Sequence, residues 1–147
     1  MVWVSLTRLR VRSVLFLPGF FWHAIRSREQ VRRADGFIVG GLLADSERTF
    51  WTMTAWESHA AMLAFMRSGA HKRAMPKLLE WCDEASVAGW QQEDTVLPGW
   101  DEADRRMRAT GRVSKVRHPS AAQLQSESAG LEYRPARTTG AVVIRRD

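Results

Sequence analysis

The sequence predicts an α+β fold, a ferredoxin-like βαββαβ sandwich, on three observations. Two apolar segments, 37–44 and 49–56, are parted only by Asp45-Ser46-Glu47-Arg48, a link short enough to make an antiparallel hairpin. Alternating or apolar segments near the start of the chain and at 85–92 bracket that hairpin. A helical pattern lies on each side of it, which gives the order β-α-β-β-α-β of the split βαβ arrangement: four antiparallel strands with both helices on one face.

The first strand is read from 2–11, where Val2, Val4 and Leu6 alternate with Trp3, Ser5, Thr7, Leu9 and Val11. Pro18 suits the opening turn of a helix and Gly36 its end, and Phe20, Phe21, Ala24, Ile25 and Val31 are assigned to its apolar face. Trp22 lies opposite that face and is expected to need a cover, from the C-terminal segment or a partner. Ser58 is placed to cap the second helix, with Met62, Leu63, Phe65 and Met66 as its apolar side. Ser68-Gly69 interrupts it, and a further helical piece from 70 to about 84 carries His71, Met75, Leu78 and Cys82 at helical spacing, with Pro76 bending it or starting a new turn. The fourth strand is expected at 85–92.

Both sides of the strand at 49–56 are apolar: Trp51, Met53 and Ala55 oppose Phe50, Thr52, Thr54 and Trp56. A four-stranded sheet with helices on one face leaves the other bare, so the sequence predicts a homodimer closed through the sheet. Residues 1–95 are taken as this domain and 96–147 as a C-terminal extension. In the extension, 101–110 forms a short helix ended by Gly111, Ser120 to Gln123 is a capping-box pattern, and a polar, partly ordered arm follows from Gln125, with 141–144 its one candidate strand.

Composition excludes several functions. The chain has 147 residues, 45% of them hydrophobic, with seven Trp, enough for one core. Its single cysteine, Cys82, leaves neither a disulfide nor a cysteine metal cluster to be built and suits a cytoplasmic location. No run of about 18 apolar residues is present, so no membrane span is expected. Residues 14–25, after Arg8, Arg10 and Arg12, imitate a signal peptide, but Pro18-Gly19, His23 and the lack of a small-residue cleavage site count against export. The net charge of +6 is split: residues 1–34 hold seven Arg against one Glu, 35–110 eight basic against twelve acidic residues, and 111–147 seven basic against three acidic. Such a distribution gives no single basic face, so nucleic acid is not an expected partner. The four His fall in no HxH or HExxH spacing, and no glycine-rich loop follows a strand, so neither a metal site nor a nucleotide cofactor is expected.

The sequence Phe50-Trp51-Thr52-Met53-Thr54-Ala55-Trp56-Glu57-Ser58, leading into Ala60-Ala61-Met62 and then Ser68-Gly69-Ala70-His71, resembles the dimeric α+β barrel superfamily. More narrowly it is similar to the antibiotic biosynthesis monooxygenase (ABM) group, with a fainter similarity to spheroidene monooxygenase. The resemblance covers residues 2–92 and implies two sheets packed face to face, each subunit keeping a pocket between its sheet and its helices. Members of the superfamily it resembles oxidise polycyclic aromatics without cofactor, bind and degrade haem, act as decarboxylases or isomerases, or have no established activity. The haem-degrading members use an Asn on the first strand with a Trp and a His on the second helix. Here those helical positions fall on Phe65 and near Met75, and the chain has no Asn.

His71 is the candidate catalytic base, at the start of an apolar helical stripe. Ser5, Thr7, Thr52 and Thr54 are the polar members of apolar strands, suited to direct hydroxyls at a substrate oxygen, and His23, Trp56, Phe65 and Met75 complete the candidate substrate-binding set. Trp51 and Trp56 point to opposite faces, one toward the pocket and one toward the dimer barrel. The expected function is a monooxygenase-like enzyme acting without cofactor on an apolar, aromatic molecule. The alternative is a protein that binds haem or a similar ligand, with His71 or His23 as axial ligand. A third reading is a structural dimer whose basic tail recruits an acidic partner.

Overall fold

The computed structural model describes residues 1–133 and 138–147; residues 134–137 of the expected arm lie outside the described residues. The chain runs β1 (Val2–Val11), α1 (Leu17–Arg32), β2 (Phe37–Asp45), β3 (Thr49–Trp56), α2 (His59–Met66), α3 (Gly69–Trp81), β4 (Cys82–Gln92), α4 (Trp100–Thr110), β5 (Arg112–Val113), α5 (Ala121–Ala129) and β6 (Thr138–Arg145). The ferredoxin-like α+β core is present as expected, but the sheet has six strands rather than four, in the order β5-β4-β1-β3-β2-β6. All pairings are antiparallel and the sheet is open. Among the described residues no helix is long and apolar enough to cross a membrane.

Local chemistry explains the element ends. The Asp45 carboxylate accepts from the backbone of Glu47 (2.8 Å) and Thr49 (3.1 Å), folding the β2–β3 turn around Arg48 at a φ of 57°. Ser58 caps α2 by accepting from Ala61 N at 3.1 Å. Pro76 lies inside α3 without ending it, and the helix forgoes one backbone bond there.

Two element readings are corrected. Helix α3 stops at Trp81, and Cys82 opens β4, opposite Val11 of β1. Ion pairs from Arg8 to Glu84 and from Arg10 to Asp83 tie this segment to β1, and helical spacing at 71, 75, 78 and 82 does not encode such long-range partners. In α1, Phe20 and Val31 are buried, but Phe21, Trp22 and Ile25 are exposed, the last two at 60% and 58%. Ile25 is five residues from Phe20, about 140° around the helix, and so belongs to the outer side.

The larger correction concerns the second face of the sheet. Val4, Leu6, Trp51, Met53 and Ala55 are buried there within the single chain, in a cluster with Ala103 and Met107 of α4 and with Tyr133. Trp100, Leu97 and Leu131 pack around them. The homodimer was expected because this face would be bare, and it is not: the chain's own extension occupies the place assigned to a second sheet. Nor does the described extension cover Trp22, which was the other expectation for it. The capping pattern at Ser120 is only half made. Ser120 accepts from Gln123 N, but the Gln123 side chain donates to Ser114 O (2.8 Å) and accepts from Ala85 N (3.2 Å), fastening α5 to β4.

Candidate functional site

On the other face, α1, α2 and α3 do not fill the space above the strands. They leave a cavity of about 270 Å³, and all nine residues selected from sequence line it: Ser5, Thr7, His23, Thr52, Thr54, Trp56, Phe65, His71 and Met75. Strand register sets the floor. Thr7 pairs with Thr52 and Ser5 with Thr54, so the four side chains form two cross-strand pairs on one face. Gly40 and Gly89 flank the second pair and add no side-chain volume.

The hydroxyls of the floor are unequal. Thr54 Oγ1 accepts from Trp56 Nε1 at 2.8 Å, which fixes a fully buried indole and leaves the threonine proton to donate elsewhere. Ser5, Thr7 and Thr52 have no protein partner for their hydroxyls among the described residues, so each is free to serve a ligand. Trp51, as expected, points to the opposite face, where it packs edge-on against Tyr133.

His71 is held by two hydrogen bonds that local sequence does not reveal. Its Nδ1 lies 3.0 Å from the carbonyl of Met66. A carbonyl only accepts, so Nδ1 carries the proton of the neutral ring and Nε2 keeps a lone pair. Its backbone N–H donates to Gln30 Oε1 (2.9 Å), and Gln30 Nε2 donates back to Ser68 O (2.9 Å) and Phe65 O (3.3 Å). Gln30 of α1 thus pins the α2–α3 junction. Gly69, at a φ of +57°, makes room for it: a Cβ there would lie 3.0 Å from the Gln30 amide. Burial lowers the His71 pKa, an effect partly offset by the Met66 hydrogen bond, so the ring is neutral near pH 7.

The remaining residues grade outward. Phe65 lies between Trp56 (ring centroids 5.3 Å apart) and His71 (5.0 Å). His23 leans on Trp81 at 5.7 Å and its pKa is also lowered, by burial first and then by Lys77, Arg26 and Arg73. Unlike His71, it has no hydrogen bond among the described residues to fix its tautomer. Met75 is exposed and belongs to the rim. Among the described residues no group of three or more His, Cys, Asp or Glu is arranged to hold a metal ion. Sequence reasoning missed Gln30, Gly69 and Arg28, the last of which also lines the cavity. The one advance sign was the Ser68-Gly69 break, whose purpose shows only once α1 is packed beside it.

A family model described as a domain of unknown function, DUF3291, matches residues 15–116. No curated protein matches the sequence. Solved structures match in fold. Rv0793 from Mycobacterium tuberculosis has a TM-score of 0.59 at 12% identity, over 66% of this chain and 100% of that one. A Nitrosomonas europaea protein named as a candidate antibiotic biosynthesis monooxygenase has a TM-score of 0.58 at 13% identity, over 65% and 94%. SnoaB, a cofactor-independent oxygenase from Streptomyces nogalater, has a TM-score of 0.53 at 14% identity, over 66% and 98%. The likeness is one of fold, with about a third of this chain outside each match.

Proposed function

The chain belongs to the DUF3291 family, and from the geometry of its cavity we propose that it is a monooxygenase-like enzyme acting without cofactor on an apolar, aromatic molecule. The observation that carries this reading is His71: a neutral imidazole of fixed tautomer beside a cavity whose floor presents unpartnered hydroxyls. The fold shared with an oxygenase that needs no cofactor supports it.

In this mechanism the substrate carries a methylene between conjugated groups. His71 Nε2 takes one proton, and the hydroxyls of Ser5, Thr7 and Thr52 donate to the oxygen on which the resulting anion's charge settles. Dioxygen accepts electrons from that anion. One oxygen atom becomes the product carbonyl, and the other leaves as water with the two methylene hydrogens. The apolar walls exclude water and keep the base uncharged.

Oxygen uptake with dithranol, a tricyclic ketone with an acidic methylene, tests the reading. The wild type should consume oxygen, and His71→Ala should lower the rate about 100-fold or more, the usual loss for a general base. Unchanged uptake in the variant would remove His71 from the chemistry. Titration with haemin tests the alternative: a sharp one-per-chain Soret band lost in His71→Ala or His23→Ala would make this a haem-binding protein instead.

A further inference from the structure

We propose that the molecule held in this cavity carries a single anionic group, a carboxylate or an ionised enol on an apolar body, and that Arg28 receives it. This inference rests on the pocket reading above and names its ligand class. Among the described residues, the charged ones lining the cavity are Arg28 and Lys115, with no Asp or Glu. Lys115 is exposed and solvated at the rim, whereas Arg28 is half-buried.

Arg28 differs from the arginines around it. Arg8, Arg10 and Arg12 of the first strand and its exit are matched by Glu84, Asp83 and Glu80. On α1 itself, Arg32 pairs with Glu29 and Asp147, and Arg33 pairs with Asp147. Arg28 has no ion pair, hydrogen bond or ring contact among the described residues; its Nε lies out of water without an acceptor, as do those of Arg10 and Arg32, whose other nitrogens are ion-paired. The Arg28 charge at the cavity therefore has no counter-ion among the described residues, and an oxyanion entering the cavity supplies one through charge-assisted hydrogen bonds to the guanidinium.

The surroundings leave that role to Arg28. His71 is neutral and does not compete for the anion. The floor hydroxyls donate to either a neutral or an ionised oxygen, so they orient a ligand without choosing its charge. Apart from His23, Ser27 and Ser114 the rest of the wall, including Leu9, Leu42 and Val87, is apolar and fits the body of the ligand. A neutral molecule would satisfy this wall and leave Arg28 uncompensated.

Two fluorescent probes of similar shape test the inference: anionic 8-anilinonaphthalene-1-sulfonate and neutral N-phenyl-1-naphthylamine, titrated into the full chain at pH 7. Each should bind once per chain and displace the other. Arg28→Met keeps the stem and removes the charge; it should weaken the sulfonate about tenfold or more and the neutral probe no more than about twofold, while Arg28→Lys recovers part of the loss. An unchanged sulfonate affinity in Arg28→Met overturns the inference, as does equal weakening of both probes. Thermal melting of each variant confirms that it is folded. If the neutral probe binds and the sulfonate shows no dependence on Arg28, the pocket stands and the anion does not. If neither probe binds the wild type, the pocket reading fails as well.

Discussion

Val4, Leu6 and Arg8 of β1 face one side of the sheet, and Ser5, Thr7 and Leu9 face the other. The first side is solid. Val4, Leu6, Met53 and Ala55 are almost wholly buried beneath Ala103 and Met107, and the charges there are matched. Arg8 meets Glu84 at 3.1 Å, Ser120 donates to the same carboxylate at 3.0 Å, and the ring of Tyr133 lies between the guanidiniums of Arg8 (4.1 Å) and Arg108 (3.9 Å) while its hydroxyl donates to Asp104. The second side is hollow. The middle of its floor is Ser, Thr and Gly where the first has Leu, Met and Trp, and the three helices above leave a cavity. Packing is dense wherever side-chain volume meets its match, so small floor residues under rigid helices are enough to make a binding site.

The contrast breaks most completely if the cover of the solid side is removed. A chain ending at Asp94 loses α4 and Tyr133 and exposes Val4, Leu6, Trp51 and Met53 together; it should aggregate or pair through that face more than the full chain. Light scattering reads this, and a truncated monomer with an unaltered melting curve would contradict the assigned cover. Next in size, Glu84→Ala leaves Arg8 buried without its anion and should cost about 3–5 kcal/mol in urea unfolding. On the hollow side, Thr52→Val removes a hydroxyl with no protein partner among the described residues and should cost about 1 kcal/mol or less.

The smallest effect sharpens the comparison by pH. The folded-state pKa of His71 is depressed below 6.5. Below that value the unfolded chain takes up a proton that the folded chain refuses, so stability is full above pH 6.5 and falls as the solution becomes more acid. Urea midpoints measured between pH 7.5 and 5 should decline in the wild type. His71→Gln should flatten that decline in part, leaving the component from His23, whose pKa is lowered too.

Much of this was legible in sequence because it is local. Alternation gave β1 and β3, the short polar link gave the hairpin, Ser58 gave a cap, and the parity of strand residues placed Ser5, Thr7, Thr52, Thr54 and Trp56 on one face. What escaped depends on partners distant in the chain. Cys82 looks helical until Val11 stands opposite it, β6 acquires meaning only beside β2, and Gln30 is an ordinary polar helix residue until the Ser68-Gly69 turn arrives next to it. Helix α4 was visible, and its apolar positions Trp100, Ala103 and Met107 fall on one side of a helix. Weighed against the bare sheet face, that spacing would have supplied its cover without a second copy.

The order of manufacture adds a consequence for the living cell. The strands β1 to β4 leave the ribosome before residues 100–133 that seal them, so the nascent sheet emerges with its most apolar side open. At translation speeds of about 5–20 residues per second, the roughly 40 residues from Gln92 to Tyr133 take about 2–8 seconds. For that interval Leu6, Trp51 and Met53 form an exposed apolar surface of the kind that makes folding intermediates prone to associate.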